Sequence, residues 1–228
     1  MDKQTGFRAA VVYLPAVLFL VVLTLFSRAV NIPVEVLTRD MATIGEIHPL
    51  FGLLSNLGIL LWCAAATVCV LGAAVLSRAG GGERVAFLVS SALLTMVLML
   101  DDFFLIHDAL IEEYVGLPQR VMVALYGLAT LAYLFRFRRL ILSTNFTFLG
   151  AALVFFAISV VVDDLLDAGN LAQAGWIDFA EDSAKFLGLV GWCAYFAQVC
   201  REWLVAALQA DSRQGLSSAA SASAGAGR

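Results

Sequence analysis

A chain of 228 residues that is 61% hydrophobic and 14% charged stands outside the range of soluble domains, which average about 45–50% apolar and about 25% charged. Its mean hydropathy of +0.91 points the same way, to an integral membrane protein. Its net charge of -4, with no basic patch bearing interleaved aromatics, excludes nucleic acid as a partner.

The first apolar run, residues 9–27 (AAVVYLPAVLFLVVLTLFS), is long enough to cross a bilayer, which takes about 20 residues. It lacks a small-residue cleavage site and reads as a retained helix, not a signal peptide. Residues 28–48 form one long loop, whose middle, VEVLTRDMATIGEI, has room for a short interfacial helix. The second run, 50–76, opens on LFGLLSNLGILLW, and the third, 85–107, closes on the unusual stretch LDDFFLIHD at 100–108. Runs at 120–137, 146–166 and 179–207 complete the set. In lipid each must be helical, because an unpaired backbone amide in hydrocarbon costs several kcal/mol. The expected fold is therefore all-α: a polytopic integral membrane protein, residues 1–210, with a bundle of six transmembrane helices. Small residues in GLLSNLG and GLVG suit close helix approach. The four cysteines (Cys63, Cys69, Cys193, Cys200) fall inside apolar runs without CxxC spacing and read as small buried hydrophobes. The Ser/Ala/Gly-rich tail, 211–228, is expected to be disordered.

The connections set the orientation. Lys3, Arg8, Arg78, Arg84, Arg136, Arg138, Arg139, Arg201, Arg213 and Arg228 lie on one side, ten of the fourteen basic residues. By the positive-inside rule that side is cytoplasmic, which places both termini in the cytoplasm.

The acids have the opposite bias. Only Asp2, Glu83, Glu202 and Asp211 lie on the cytoplasmic side; the other fourteen gather at the outer ends of the helices or in the outer loops. Glu46 and His48, then Asp101, Asp102, His107 and Asp108, then Asp163, Asp164 and Asp167, then Asp178, Glu181 and Asp182 come to one level only because the topology alternates. At about 100° per residue, Ser159, Asp163 and Asp167 share a face of the fifth segment. Asp178, Glu181, Asp182 and Lys185 make one polar stripe on the sixth. Asp178 also stands where an N-cap belongs. Acids at the outer ends of the third and fifth segments oppose the helix dipole, so each needs a partner: Lys185, a histidine, a metal ion or a proton. Lys185 has Glu181 one turn away, and Asp101 or Asp163 across the bundle, as expected partners.

A charge at the bilayer centre costs roughly 2.5–3.5 kcal/mol on insertion scales, and such residues mark ion and proton pathways. Asp101, Asp102, Asp163, Asp164, Glu181, Asp182 and Lys185 are therefore the expected cation or proton site. His48, His107, Asp108 and Asp167 are the further candidates for a divalent metal, magnesium or zinc. The expected role is transporter-like or that of an accessory subunit. Because six helices leave little room for a pore, a homo-oligomer or a larger membrane complex is the expected assembly in the lipid bilayer.

The alternative is a metal-dependent intramembrane enzyme acting on a lipid or prenyl substrate. DDLLD at 163–167 resembles the DDxxD pattern of prenyl-diphosphate enzymes, which implies magnesium, but no basic cluster stands ready to grip a diphosphate. His48, Ser55, Asp101 or Asp102, and His107 resemble the ligand set of alkaline-ceramidase-type hydrolases, which implies zinc. That family uses three histidines and this chain has two. LSNLGILLW and LDDFFLIHD look like segments of a bacterial membrane-protein family without an assigned function. That resemblance implies the bacterial inner membrane as the location and carries no mechanism.

Overall fold

The computed structural model describes residues 3–39, 41–106, 111, 114, 116–169 and 175–225, and every regular element among them is helical. The chain divides into two compact units, Met1–Leu53 and Leu54–Arg228.

The first unit holds α1 (Lys3–Val30), α2 (Val34–Thr38) and α3 (Met41–Ile44). Apolar side chains of α1, Phe7, Leu14, Leu18 and Leu25 among them, stand exposed. The helix ends in a hydrogen-bonded stop. Asn31 takes a positive φ of 56°, the Ile32 amide donates to the Ser27 carbonyl at 3.1 Å, and the Ser27 hydroxyl donates to the Ile32 carbonyl at 2.6 Å. This is the left-handed cap that asparagine tolerates, followed by Pro33, which cannot continue a helix. The two short helices α2 and α3 fall in the stretch where the sequence has room for an interfacial helix.

The second unit holds α4 (Leu53–Arg78, with its first residue at the boundary), α5 (Gly82–Phe104), α6 (Gln119–Leu142), α7 (Thr147–Gly169) and α8 (Gly175–Gly225). Three residues join α4 to α5, so the two run antiparallel. Gly80, at φ 74°, supplies the left-handed residue there, and the Gly81 amide closes back on the Leu76 carbonyl at 3.1 Å. Between α6 and α7, the Asn145 side chain accepts from the Thr147 hydroxyl at 2.8 Å and fixes the turn.

Packing and interhelical hydrogen bonds hold the unit together. The core is aromatic. Trp62 of α4, Phe87 of α5, Tyr133 and Phe137 of α6, and Trp192, Tyr195, Phe196 and Trp203 of α8 are all buried. Their rings touch edge-on or stacked, as in Trp192 against Phe196 at 5.2 Å and Phe87 against Phe137 at 5.4 Å. Glycines set the spacing of α7 and α8. A Cβ on Gly191 would stand 2.9 Å from the Phe148 carbonyl oxygen, and one on Gly188 would stand 2.6 Å from the Phe156 ring.

Among the described residues, α1, α4, α5 and α6 are long and apolar enough to cross a membrane, and Thr147–Asp163 of α7 forms a shorter apolar helix. The third segment differs from expectation at its outer end. It stops at Phe104, not at 107, because Leu105 adopts a left-handed conformation (φ 50°) while its amide still donates to the Asp101 carbonyl. The sixth helix starts at Gly175, four residues earlier than the apolar run suggests, and its backbone stays helical through the Ser/Ala/Gly-rich stretch to Gly225. Alanine's high helix propensity is the local reason for helix in a tail whose composition otherwise favours disorder.

Candidate functional site

The stop at Leu105 puts Asp101 and Asp102 in the last turn of α5, about 100° apart around its axis. They therefore meet different neighbours. Asp101 is buried, 3% exposed, and its Oδ1 accepts the Tyr126 hydroxyl of α6 at 2.7 Å. Asp102 turns toward α4 and α8. Its Oδ1 lies 2.8 Å from Lys185 Nζ, and its Oδ2 accepts the indole N–H of Trp62 at 2.8 Å. The Asp102 side chain is 12% exposed and that of Lys185 37%. A carboxylate at the C-terminal end of a helix meets the negative end of the dipole, and the Lys185 ammonium offsets that penalty.

One small cleft opens beside the pair. Ser55 and Gly58 of α4, Asp102 of α5, and Asp182, Lys185 and Leu189 of α8 line it, with about 20 Å³ of free volume. That is room for about one water molecule. The Trp62 ring that holds Asp102 stacks on Phe156 of α7 at 5.7 Å and meets Trp192 edge-on at 5.9 Å.

Hydroxyls continue inward from the charges. The Trp192 indole donates to the Thr95 hydroxyl at 3.0 Å, about two turns below Asp102 on α5. One turn further, Ser91 Oγ lies 2.7 Å from the Tyr133 hydroxyl and donates to the Phe87 carbonyl at 2.7 Å. At the far end Thr144 Oγ1 lies 3.1 Å from the Tyr195 hydroxyl. No buried side-chain nitrogen or oxygen among the described residues lacks a hydrogen-bond partner.

Of the residues expected at the site, Asp102, Asp182 and Lys185 come together around the cleft, with Asp101 on the adjoining face of α5. Glu181 is half-buried on α8 and does not line the cleft. Asp163 sits on α7 with Gln119 Nε2 of α6 3.4 Å from its Oδ2, and Ser159 one turn back is buried. For Asp164 and Asp167 only the backbone is described. His107 and Asp108 lie outside the described residues, and His48 belongs to the first unit, where its Nδ1 accepts the Leu50 amide at 3.3 Å. Among the described residues no three His, Cys, Asp or Glu side chains gather as a metal ion would need.

One partner goes beyond the sequence expectation. The expected partners of Lys185 are Glu181, Asp101 and Asp163; the structure adds an ion pair with Asp102, which the sequence reading did not name. That pair depends on how α5 is rotated about its axis, and interhelical packing sets that rotation. Sequence reasoning also passed over Trp62, Tyr126 and Gln119. A signal for two of them was present: Gln119, Tyr126 and Tyr133 recur every seven residues along α6, which places them on one face. That face meets Asp163, Asp101 and Ser91 in turn.

A family model described as "Domain of unknown function (DUF8692)" matches residues 12–199. The chain belongs to that family. The matched DUF8692 region takes in Trp62, Asp101, Asp102, Tyr126, Asp182 and Lys185, so every residue around the charge pair lies within it. No curated protein and no solved structure matches this DUF8692 chain.

Proposed function

We propose that this protein is a bacterial inner-membrane protein of six spans with both termini in the cytoplasm. We propose further that its Asp102–Lys185 centre binds and releases a proton or a cation as part of a small transporter, alone or within a larger membrane complex. The observation that carries this reading is the ion pair itself, held between α5 and α8, fixed by Trp62 of α4, and bordered by a polar cleft. Replacing a buried ion pair by apolar residues is often neutral or stabilising, so stability alone does not explain the pair. Ionisable residues within a membrane bundle mark ion and proton pathways. The Lys185 ammonium stands where a bound cation would stand, so occupancy by an ion and release of Lys185 are linked.

Two further observations support the topology. The long helices α1 and α4 to α8 each overlap one of the six apolar runs, and ten of the fourteen basic residues fall on one side of the alternating arrangement. A reporter fused at 113 is expected outside the cytoplasm and one fused at 144 inside; the reverse pattern refutes the orientation.

The function is tested by reconstitution. Purified protein in proteoliposomes is expected to carry protons or sodium down an imposed gradient, and Asp102→Asn and Lys185→Met are each expected to abolish that flux. Flux that persists in both variants refutes the assignment.

A further inference from the structure

The end of the second unit opposite the charge pair carries arginines. Arg78 closes α4, Arg84 stands in the first turn of α5, and Arg136, Arg138 and Arg139 fall in the last two turns of α6. A cation in a first turn meets the positive end of the helix dipole, and Gly81, at the N-cap of α5, brings no side chain to offset it. The nearby acids are engaged elsewhere. Glu83 lies 3.5 Å from Arg136, and Glu202 accepts from Gln198 on its own helix at 2.9 Å. Among the described residues no carboxylate pairs with Arg84.

Arg84 is nonetheless held in place. Its Cζ lies 5.3 Å from the centre of the Trp203 ring of α8. That ring meets Phe87 of α5 edge-on, and Phe87 meets Phe137 of α6 in the same way. Arg136 lies over Phe137 at 4.8 Å. Two guanidinium groups from two helices thus rest on one aromatic floor, which α8 completes. A guanidinium stacked by its face keeps its N–H edge for an oxoanion. Trp203 is 7% exposed, and among the described residues nothing accepts its indole N–H. No buried side-chain nitrogen there lacks a partner, so this N–H opens at the surface, on the ring that carries Arg84. The two groups are donors without an acceptor, which suits a phosphate oxygen. The surroundings say what bears that phosphate. Val89 of α5, and Leu128 and Leu131 of α6, stand exposed one to two turns nearer the middle of their helices. An occupant with an anionic head and an apolar body matches both features, whereas a soluble phosphate uses only the first.

We infer that this end of α5, α6 and α8 binds the headgroup phosphate of an anionic phospholipid, with Arg84 and the Trp203 indole as donors and Arg136 beside them. In the orientation proposed above the lipid belongs to the cytoplasmic leaflet, whose surface is negative. Only the leaflet rests on that reading.

The test titrates delipidated protein in neutral detergent with phosphatidylglycerol or with phosphatidylcholine of the same chains, and native mass spectrometry counts the lipids retained. Wild-type protein is expected to hold phosphatidylglycerol about tenfold more tightly, because the arginines repel the choline cation. Arg84→Gln is expected to weaken that binding about fivefold, the worth of one basic residue at an anionic surface. Trp203→Phe keeps the aromatic floor and is expected to weaken it about tenfold, the worth of one hydrogen bond to a charged group. Arg138→Gln removes the same charge from a guanidinium that stacks on Phe135 instead, and is expected to change binding less than about twofold.

Equal losses in Arg84→Gln and Arg138→Gln mean diffuse surface charge and overturn the inference, as does equal retention of the two lipids. Release of phosphatidylglycerol by millimolar inorganic phosphate makes a soluble anion the occupant and also overturns it. Arg84 is exposed, so Arg84→Gln decides should Trp203→Phe fail to fold. The reporter at 144 reads the leaflet separately: a reversed reporter refutes the orientation and leaves the binding result standing.

Discussion

Replacing Lys185 by methionine keeps the length and apolar stem of the side chain and removes its charge. Asp102, 12% exposed, then faces the low-dielectric interior as an anion with the Trp62 N–H still donating to it. Removing one partner of a buried pair costs about 3–5 kcal/mol. Lys185 is 37% exposed, so part of its charge is already screened, and the expected loss falls to about 2–3 kcal/mol. Adding Asp102→Leu removes the stranded anion, leaving about 1 kcal/mol for the Trp62 N–H that loses its acceptor. The double variant is thus expected within about 1 kcal/mol of wild type, a coupling of about 2 kcal/mol or more between the two sites. Equilibrium unfolding in bicelles measures all four corners of this cycle. A cost below about 1 kcal/mol for Lys185→Met alone, or a double variant as unstable as the sum of the singles, refutes the reasoning. The cycle also separates structure from function, because the rescued double variant is expected to remain dead for ion movement.

Tyr126→Phe removes the hydroxyl donated to Asp101, a carboxylate 3% exposed, and is expected to cost about 1–3 kcal/mol in the same unfolding assay. Gly191→Ala places a Cβ 2.9 Å from the Phe148 carbonyl oxygen, which is backbone and cannot swing away. It is expected to destabilise the α7–α8 contact by about 1–3 kcal/mol. Gly127→Ala meets nothing within 4 Å and serves as the control, neutral or stabilised by up to about 1 kcal/mol.

The long apolar runs made the helices legible, since hydrophobic length is a property of the sequence alone. Ends were less so. The stop after Phe104 depends on one left-handed residue, Leu105, whose type does not favour that conformation. That charges would cluster was legible from the count of acids on each side, but the pairing was not. Asp101 and Asp102 are adjacent in sequence, and only the rotation of α5 against α4, α6 and α8 decides which of them takes the Tyr126 hydroxyl and which the Trp62 indole. Trp62 illustrates the same limit. Its ring is suited to packing, and its role at Asp102 depends on a partner 40 residues away.

Trp62 has a second consequence. Its N–H is bound to Asp102 while its ring lies flat, at 14°, against Phe156, and Phe156 sits where Gly188 leaves no side chain. The carboxylate and α7 are therefore geared through one rigid indole. A tilt of that indole presses on Phe156 in the groove at Gly188, so a change in the contacts at the tip of α5 is felt between α7 and α8.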